Sequence, residues 1–537
     1  MRRQGHGSLK SSPNFRRATL WLTLGFALFF ARGSARAQQS ATTPGPASAR
    51  EDVAGFRARV QAELDKAGAD QGTWGVLVTD ADSGEVVYAL NPTHYFLPAS
   101  NAKLFTTAMA LGALGPDFRI HTTVMGAGAL RDGRLEGDLV LVGAGDANLS
   151  NRVFPFSGKA ERAGPPEKIL AELADQVAAR GVKEIAGDVV ADDSYLDRGR
   201  FPAGWTVDDS VWSYGAAVSA IAVNDNTVTL EVQPGQTTGA PLEFSLDPQP
   251  SIYQVRSQGM TSAKPVPEPQ IWLSREPESR IFYLGGSLPL GAPGRPLELA
   301  VQEPAENAAV LLAHLLETRG VRIAGTARAR HFGDPAETEQ QVLGEHISPP
   351  LLEDVRLTNK MSLNLHAELL LRVAAKEKTG ALTLDEALAF AEKFRQGIGI
   401  EKNDVLLSDG SGLSRNDLVT PQAVVQLLTW AGRQPWGADF RASLPSAGED
   451  GTLETRMKGT PAVGRVQAKT GLVDHVEGLS GYATTVHGEH LIFSMFGNGN
   501  GIPSREATGV LDAICEAMVE ELGPAANLSG PENHPTP

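Results

Sequence analysis

Apolar residues recur at helical spacing through Phe56, Val60 and Leu64 and stop before Gly72, which predicts a helix at the start of the folded chain. Two short apolar runs, Trp74 to Thr79 and Glu85 to Leu90, flank the turn-rich Asp80-Ala81-Asp82-Ser83-Gly84 and predict a β-hairpin. Pro98 then interrupts the chain. The dense Ala/Leu/Met/Thr run after it predicts a helix packed on most sides, starting at or near Ser100 and ending near Gly115-Pro116. From Ile120 to Leu299 the texture changes to short strands and Gly/Pro/Asp turns, with one helix from Glu167 to Arg180. Leu139 to Val142, Asp188 to Ala191, Asn226 to Val232 and Ile281 to Leu284 are examples of these strands. Such a block is α+β or mostly β, one domain with a second nested inside it.

An amphipathic helix returns at Ala308 to Arg319, and Leu351 to Lys376 predicts a helix pair around Thr358 to Asn364. Gln467-Ala468, Tyr482 to Val486 and Leu491 to Phe496 predict antiparallel strands, with His487-Gly488-Glu489 as one turn, before a last helix from Arg505 to Leu522. The expected organisation is one domain formed by residues 51–118 and 301–522, split by inserted domains at 119–300, two of them nested. A polar Gly/Pro/Asn tail, 523–537, is expected to be disordered.

The N-terminus changes the picture of where this chain works. Residues 1–37 carry seven basic residues and no acidic one, then the apolar run Ala18 to Phe30, then Ala35-Arg36-Ala37. That order predicts a secretory signal with cleavage expected after Ala37; the alternative is an uncleaved membrane anchor, for which the apolar run is short, so no stable span is expected after cleavage. Arg16-Arg17 leaves the twin-arginine route open beside the general one. Residues 38–50 read as a flexible linker. An exported, periplasmic or otherwise extracytoplasmic protein follows.

The chain of 537 residues has a formal charge of −15, and losing the signal makes it more acidic still, which argues against nucleic acid as a partner. Cys515 is the only cysteine, so no internal disulfide can form, and its apolar helical setting predicts a core residue. The 11 histidines show no metal-ligand spacing, and neither metal nor cofactor is expected.

Candidate chemistry starts at Ser100. Residues three apart share a helix face, so the Lys103 amine can lie beside the Ser100 hydroxyl. Desolvation in an apolar helix favours neutral lysine, a competent base, and the helix start favours negative charge on the serine oxygen. By itself the spacing also fits an N-cap serine followed by a surface lysine. Ser362-Leu363-Asn364 lies between helices, a loop from which a hydroxyl and an amide can face a cleft. Lys469-Thr470-Gly471 opens a strand, where the lysine supplies fixed positive charge and the glycine lets a ligand approach the backbone.

In this order, Ser-x-x-Lys, Ser-x-Asn and Lys-Thr-Gly resemble the signature of serine β-lactamases and penicillin-binding proteins. More than two hundred residues separate Lys103 from Ser362, which resembles the low-molecular-mass class C penicillin-binding proteins, the D-alanyl-D-alanine carboxypeptidase/endopeptidases of peptidase family S13. Gly143-Ala144-Gly145-Asp146, Tyr214 to Ala220, Asp409 to Arg415 and Gly448 to Leu453 resemble the same family, so the likeness spans roughly Phe56 to Leu522.

The resemblance implies a β-lactamase/DD-peptidase-like α/β (α+β) domain with inserted mostly-β domains. It implies a serine D-Ala-D-Ala carboxypeptidase with DD-endopeptidase capacity that hydrolyses peptidoglycan stem peptides through an acyl-enzyme and is inhibited covalently by β-lactams. Ser100 would be the nucleophile and Lys103 the general base. Ser362, bridged between the two lysines, would relay a proton to the leaving amine, and Asn364 would orient Lys103 and the substrate amide. Lys469 and Thr470 would bind the terminal carboxylate beside Gly471, and the backbone N–H groups of Ser100 and Leu472 would hold the oxyanion. Asp209 and Tyr214 align with family positions that reach the stem-peptide side chain, where an aspartate suits the amine of diaminopimelate. Leu472 departs from the Thr or Ser usual in the family, which puts carboxypeptidase activity more in doubt than penicillin binding. The alternatives are a serine β-lactamase, for which no added deacylating acid is visible, and a non-catalytic penicillin-binding or wall-binding protein.

Overall fold

Strand β1 (Thr73–Asp80) buries Val76 and Val78 on one face and Leu77 on the other, so it needs cover on both sides. In the computed structural model it has both. The structure describes residues 51–523 apart from 67, 151, 158–163, 264–270 and 336–340; the expected signal, the linker and residues 524–537 of the tail lie outside the described residues. Helix α1 (Glu51–Leu64) packs with the C-terminal helix over the face carrying Val76 and Val78. β1 pairs antiparallel with β2 (Val86–Leu90), as the turn at 80–84 predicts. Helix α2 (Ala102–Leu114) covers the other face, and its residues 102 to 111 are all buried.

The chain then leaves this sheet. β3 (His121–Ala127), β4 (Asp138–Val142) and, after helix α3 (Lys168–Ala179), β5 (Val189–Asp192) build a second sheet. A further excursion follows. β6 (Thr227–Gln233) pairs with β7 (Glu243–Asp247), and three strands, β8 (Gln254–Ser257), β9 (Met260–Ser262) and β10 (Ile271–Ser274), flank β11 (Ile281–Pro289). β12 (Arg295–Ala300) returns to β6, and the inward faces of both sheets share one small core with Val228, Leu230, Phe282 and Leu284.

The boundary expected at 300/301 is corrected by what comes next. Helix α4 (Pro304–Glu317) packs with α3 in the core of the second sheet. β13 (Ala327–Arg330) then pairs with β5, and β14 (Gln341–Ile347) with β3, giving the order β13-β5-β4-β3-β14. Residues 301–347 therefore complete the inserted lobe, and with α3 and α4 that lobe is an α/β layer carrying a β excursion, less purely β than expected. An amphipathic helix such as α4 does not declare which sheet it covers, so its pattern alone leaves its membership open.

Helices α5 (Leu351–Met361), α6 (Asn364–Thr379), α7 (Leu384–Gly397), α8 (Pro421–Gly432) and α9 (Gly437–Ser443) return the chain to the first core. Three antiparallel strands, β15 (Val466–Val473), β16 (Val476–Thr484) and β17 (His490–Asn498), finish the first sheet in the order β2-β1-β17-β16-β15. β16 starts six residues before the apolar run that announces it, because Gly478, Ser480 and Gly481 conceal its alternation. Helix α10 (Ser504–Glu521) closes the layer beside α1 and buries Cys515 completely, as its apolar setting predicts. No helix among the described residues is long and apolar enough to cross a membrane.

Candidate active site

Pro98 precedes a single 3-10 turn, Ala99–Asn101, that runs directly into α2 and places Ser100 at its head. Ala99 sits at φ 45°, left-handed backbone that a side-chain-bearing residue seldom adopts. The loop 409–414 supports it from behind. A Cβ on Gly412, itself at φ 80°, would stand 1.8 Å from the Ala99 carbonyl oxygen, so only glycine fits there.

Lys103 is the second residue of α2, one turn beyond Ser100, and is 0% exposed, which removes the surface-lysine reading. Its Nζ is 2.8 Å from Ser100 Oγ, 2.6 Å from Asn364 Oδ1 and 2.7 Å from the Ser411 carbonyl oxygen. Burial pushes the lysine down to about 7, against the opposing pull of the Asp409, Glu368 and Asp417 carboxyls. A neutral amine has two N–H bonds and one lone pair. In that form Asn364 and Ser411 can accept both N–H bonds, which leaves the lone pair for the Ser100 hydroxyl; in the ammonium form Nζ donates to all three.

The opposite wall comes from the α5/α6 elbow and from β15. Ser362 ends α5 in left-handed backbone, φ 60°, which turns the chain sharply enough for Asn364 to open α6. Asn364 Nδ2 donates to the Tyr214 carbonyl oxygen at 2.8 Å, fixing the amide so that its oxygen faces Lys103. Lys469 Nζ donates to Ser362 Oγ at 2.9 Å and to the Thr470 carbonyl at 3.0 Å. Full burial, with Lys103 nearby, holds Lys469 well below the usual lysine range. The expected bridge of Ser362 between both lysines is half present: Ser362 bonds Lys469, whereas the three contacts of Lys103 are filled by Ser100, Asn364 and Ser411.

Two expectations for β15 change. Lys469, Thr470 and Gly471 sit in the middle of the strand and do not open it. A Cβ on Gly471 would lie 2.7 Å from both the Pro98 carbonyl oxygen and Asn101 Nδ2, so this glycine admits the turn that carries Ser100, and ligand approach is not what requires it. The Thr470 hydroxyl is 2.7 Å from that of Thr452. Leu472 is 59% exposed and faces a cleft of about 410 Å³ that Ser100, Asp209, Tyr214, Asn364 and Arg415 also line.

Asp209 and Tyr214 thus reach the cleft from the inserted lobe. Asp209 is buried and accepts from the Thr206 backbone N–H at 2.8 Å; Tyr214 is half-exposed, and burial, then its neighbour Asp209, pushes its phenol up. A small apolar cluster, including Leu196, Val218, Leu365 and Leu369, docks this lobe on α6, directly below Asn364. Residue-by-residue reading missed Ser411 and Asp409, which shape the floor beneath Lys103; the Gly-rich run Asp409 to Ser414 was their only visible signal.

The model of the D-Ala-D-Ala carboxypeptidase 3 (S13) family matches residues 56–518. The D-alanyl-D-alanine carboxypeptidase of Actinomadura sp. (strain R39) is 36% identical over 481 residues, covering 87% of this chain and 85% of that protein. The D-alanyl-D-alanine carboxypeptidase DacB of Haemophilus influenzae is 26% identical over 429 residues, covering 79% of this chain and 85% of its own length. The crystal structure of penicillin binding protein 4 from Haemophilus influenzae shares the fold, with a TM-score of 0.74 at 24% identity, covering 86% of this chain and 98% of that one.

Proposed function

This chain belongs to the D-Ala-D-Ala carboxypeptidase 3 (S13) family, and from that premise we propose that it cleaves the bond after the penultimate D-alanine of peptidoglycan stem peptides by way of an acyl-serine. The observation that carries the reading is the buried Lys103 amine, 2.8 Å from Ser100 Oγ and anchored by Asn364 and Ser411. Neutral Lys103 takes the Ser100 proton as Oγ bonds to the carbonyl carbon, and the backbone N–H groups of Ser100 and Leu472 receive the developing oxyanion. The C–N bond then breaks, and Ser362 passes a proton to the departing nitrogen, resupplied from the Lys469 ammonium at 2.9 Å. Lys103 releases to solvent the proton it took from Ser100 and Lys469 regains one; a water then attacks the ester carbon, giving its proton to neutral Lys103, which passes it to Ser100 Oγ as the ester C–O bond breaks.

Lys469 would receive the terminal carboxylate, with Thr470 beside it. An arriving anion offsets the cost that burial imposes on the ammonium, so carboxylate binding and lysine charging reinforce each other. Asp209 and Tyr214 would meet the stem-peptide side chain, Asp209 taking its amine. Penicillin, an amide with a nearby carboxylate, would acylate Ser100 by the same steps and leave slowly. Such substrates lie outside the cytoplasm, in keeping with the signal-like residues 1–37.

The test incubates the protein with labelled penicillin and with a diaminopimelate pentapeptide. Stoichiometric labelling on Ser100 with release of D-alanine is expected. Rapid penicillin hydrolysis without D-alanine release identifies a β-lactamase instead, and absence of any Ser100 adduct removes the enzymatic reading.

A further inference from the structure

Behind Lys103, on the side away from the cleft, lie three carboxyl groups that the acyl transfer does not use. Glu368, Asp409 and Asp417 are each 0% exposed. Glu368 has its own cation, Arg372, at 2.7 Å, and also accepts from the Gly410 N–H at 2.8 Å. Asp409 is the hub of the loop. Its Oδ1 accepts from the backbone N–H groups of Ser411 at 3.1 Å and Gly412 at 2.6 Å. Its Oδ2 accepts from Ser411 Oγ at 3.1 Å, from the Ser414 N–H at 2.8 Å and from the Trp205 indole N–H at 2.9 Å. Five donors on one buried carboxyl specify the anion.

Asp417 is different. Its Oδ1 accepts from the Ser408 N–H at 2.7 Å, but no donor reaches its buried Oδ2, and the side chain it meets is Asp409. Two buried carboxylates in contact cannot both be ionised, so the proton sits on Asp417 and is donated to Asp409. Burial and Asp409 push Asp417 well above the usual range, in agreement. The other charged groups facing this pair are Lys103, Glu368 with its Arg372, and Arg395 alongside Asp417. Glu368 has the Arg372 guanidinium as its partner, whereas the five donors to Asp409 are all neutral groups.

We propose that Asp409, held by five donors among which the Trp205 indole comes from the inserted lobe, is the positioning residue of Lys103: it folds the loop whose Ser411 carbonyl anchors that lysine, and it supplies negative charge behind it. The inference rests on Lys103 being the base for Ser100. It gives the inserted lobe a part in the chemistry beyond lining the cleft, since Trp205 comes from that lobe and docks with Leu365 and Leu369 of α6. Without Asp409, desolvation would act on Lys103 with less opposition, and the amine would be a weaker base.

The experiment measures acylation of the full chain by a chromogenic cephalosporin across pH, for wild type, Asp409→Asn, Asp417→Asn and Trp205→Phe, with thermal melts of each. Asp409→Asn is expected to slow acylation by about tenfold or more and to move the acid limb of the pH profile to lower pH, because the charge that favoured Lys103-H⁺ is gone. Trp205→Phe keeps an aromatic ring but removes one donor from the Asp409 carboxylate, which disfavours its charge, so the limb moves to lower pH as in Asp409→Asn but by less, with a melt close to wild type. Asp417→Asn keeps the limb in place, since its amide donates to Asp409 as the acid does. A limb unmoved in Asp409→Asn or in Trp205→Phe, or displaced in Asp417→Asn, overturns the proposal. If Asp409→Asn does not fold, the other two variants decide. Failure of wild type to form the Ser100 adduct would instead sink the underlying catalytic reading.

Discussion

Lys469 donates to Ser362 Oγ at 2.9 Å, across 107 residues of sequence, and this bond joins the strand wall of the cleft to the helical elbow. Both partners are constrained: the lysine is fully buried and the serine holds left-handed backbone. Lys469→Ala is therefore expected to lower D-alanine release by about a hundredfold or more, since it removes a carboxylate partner and the proton source of Ser362 together. Steady-state kinetics on the pentapeptide, compared with acylation by a neutral thioester lacking the carboxylate, separates these losses; equal losses on both substrates would deny Lys469 a part in carboxylate binding.

Ser100→Ala is expected to abolish the penicillin adduct, and Lys103→Met to slow its formation by roughly a thousandfold with the fold retained, because methionine fills the buried channel without a lone pair for the proton. Intact-protein mass spectrometry after timed exposure measures both.

Acylation should rise with pH through about 7. Burial disfavours the Lys103 ammonium, the neutral amine is the base, and so activity is lost as pH falls through that value and not near the ordinary lysine range. A profile whose acid limb lies above pH 9 would contradict this assignment of the base.

Leu472→Thr is expected to raise kcat/KM for the pentapeptide by about tenfold, the worth of one added hydrogen bond near the substrate carboxylate, while penicillin acylation changes far less. Leu472 is 59% exposed, so the exchange leaves the core untouched, and a thermal melt should stay at the wild-type temperature.

Gly412→Ala should cost about 1–3 kcal/mol or more, because the new Cβ meets the Ala99 carbonyl at 1.8 Å and the residue is held at φ 80°. The damage falls next to Ser100, so acylation should be lost more steeply than global stability. Comparing adduct formation with the melting temperature tests the difference.

The parts of the site written in local sequence were the easiest to read. Ser100 and Lys103 are one helical turn apart, and the Pro98 break and apolar run put that turn inside the protein before any coordinate does. Parts that depend on long-range pairing were harder. Residues 301–347 have ordinary helix and strand patterns, and it takes long-range contacts, α4 on α3, β13 with β5 and β14 with β3 some 220 residues earlier, to assign them to the inserted lobe. Gly471 showed its glycine but not its neighbour, the Pro98 turn. Asp409 was visible only as one letter in a Gly-rich run, since its meaning comes from Trp205, two hundred residues away in sequence.

The sheet order also constrains the order of assembly. β1, with Ser100 just beyond its hairpin, has only β2 and β17 as neighbours, and β17 ends at Asn498. A chain growing or threaded N-terminus first can complete the sheets between 121 and 347 while β1 still lacks its second partner and Ser100 faces no β15. The reactive centre is thus assembled last, by the closing of contacts more than 350 residues apart. A chain halted before residue 466 would carry a finished inserted lobe and a serine with no chemistry.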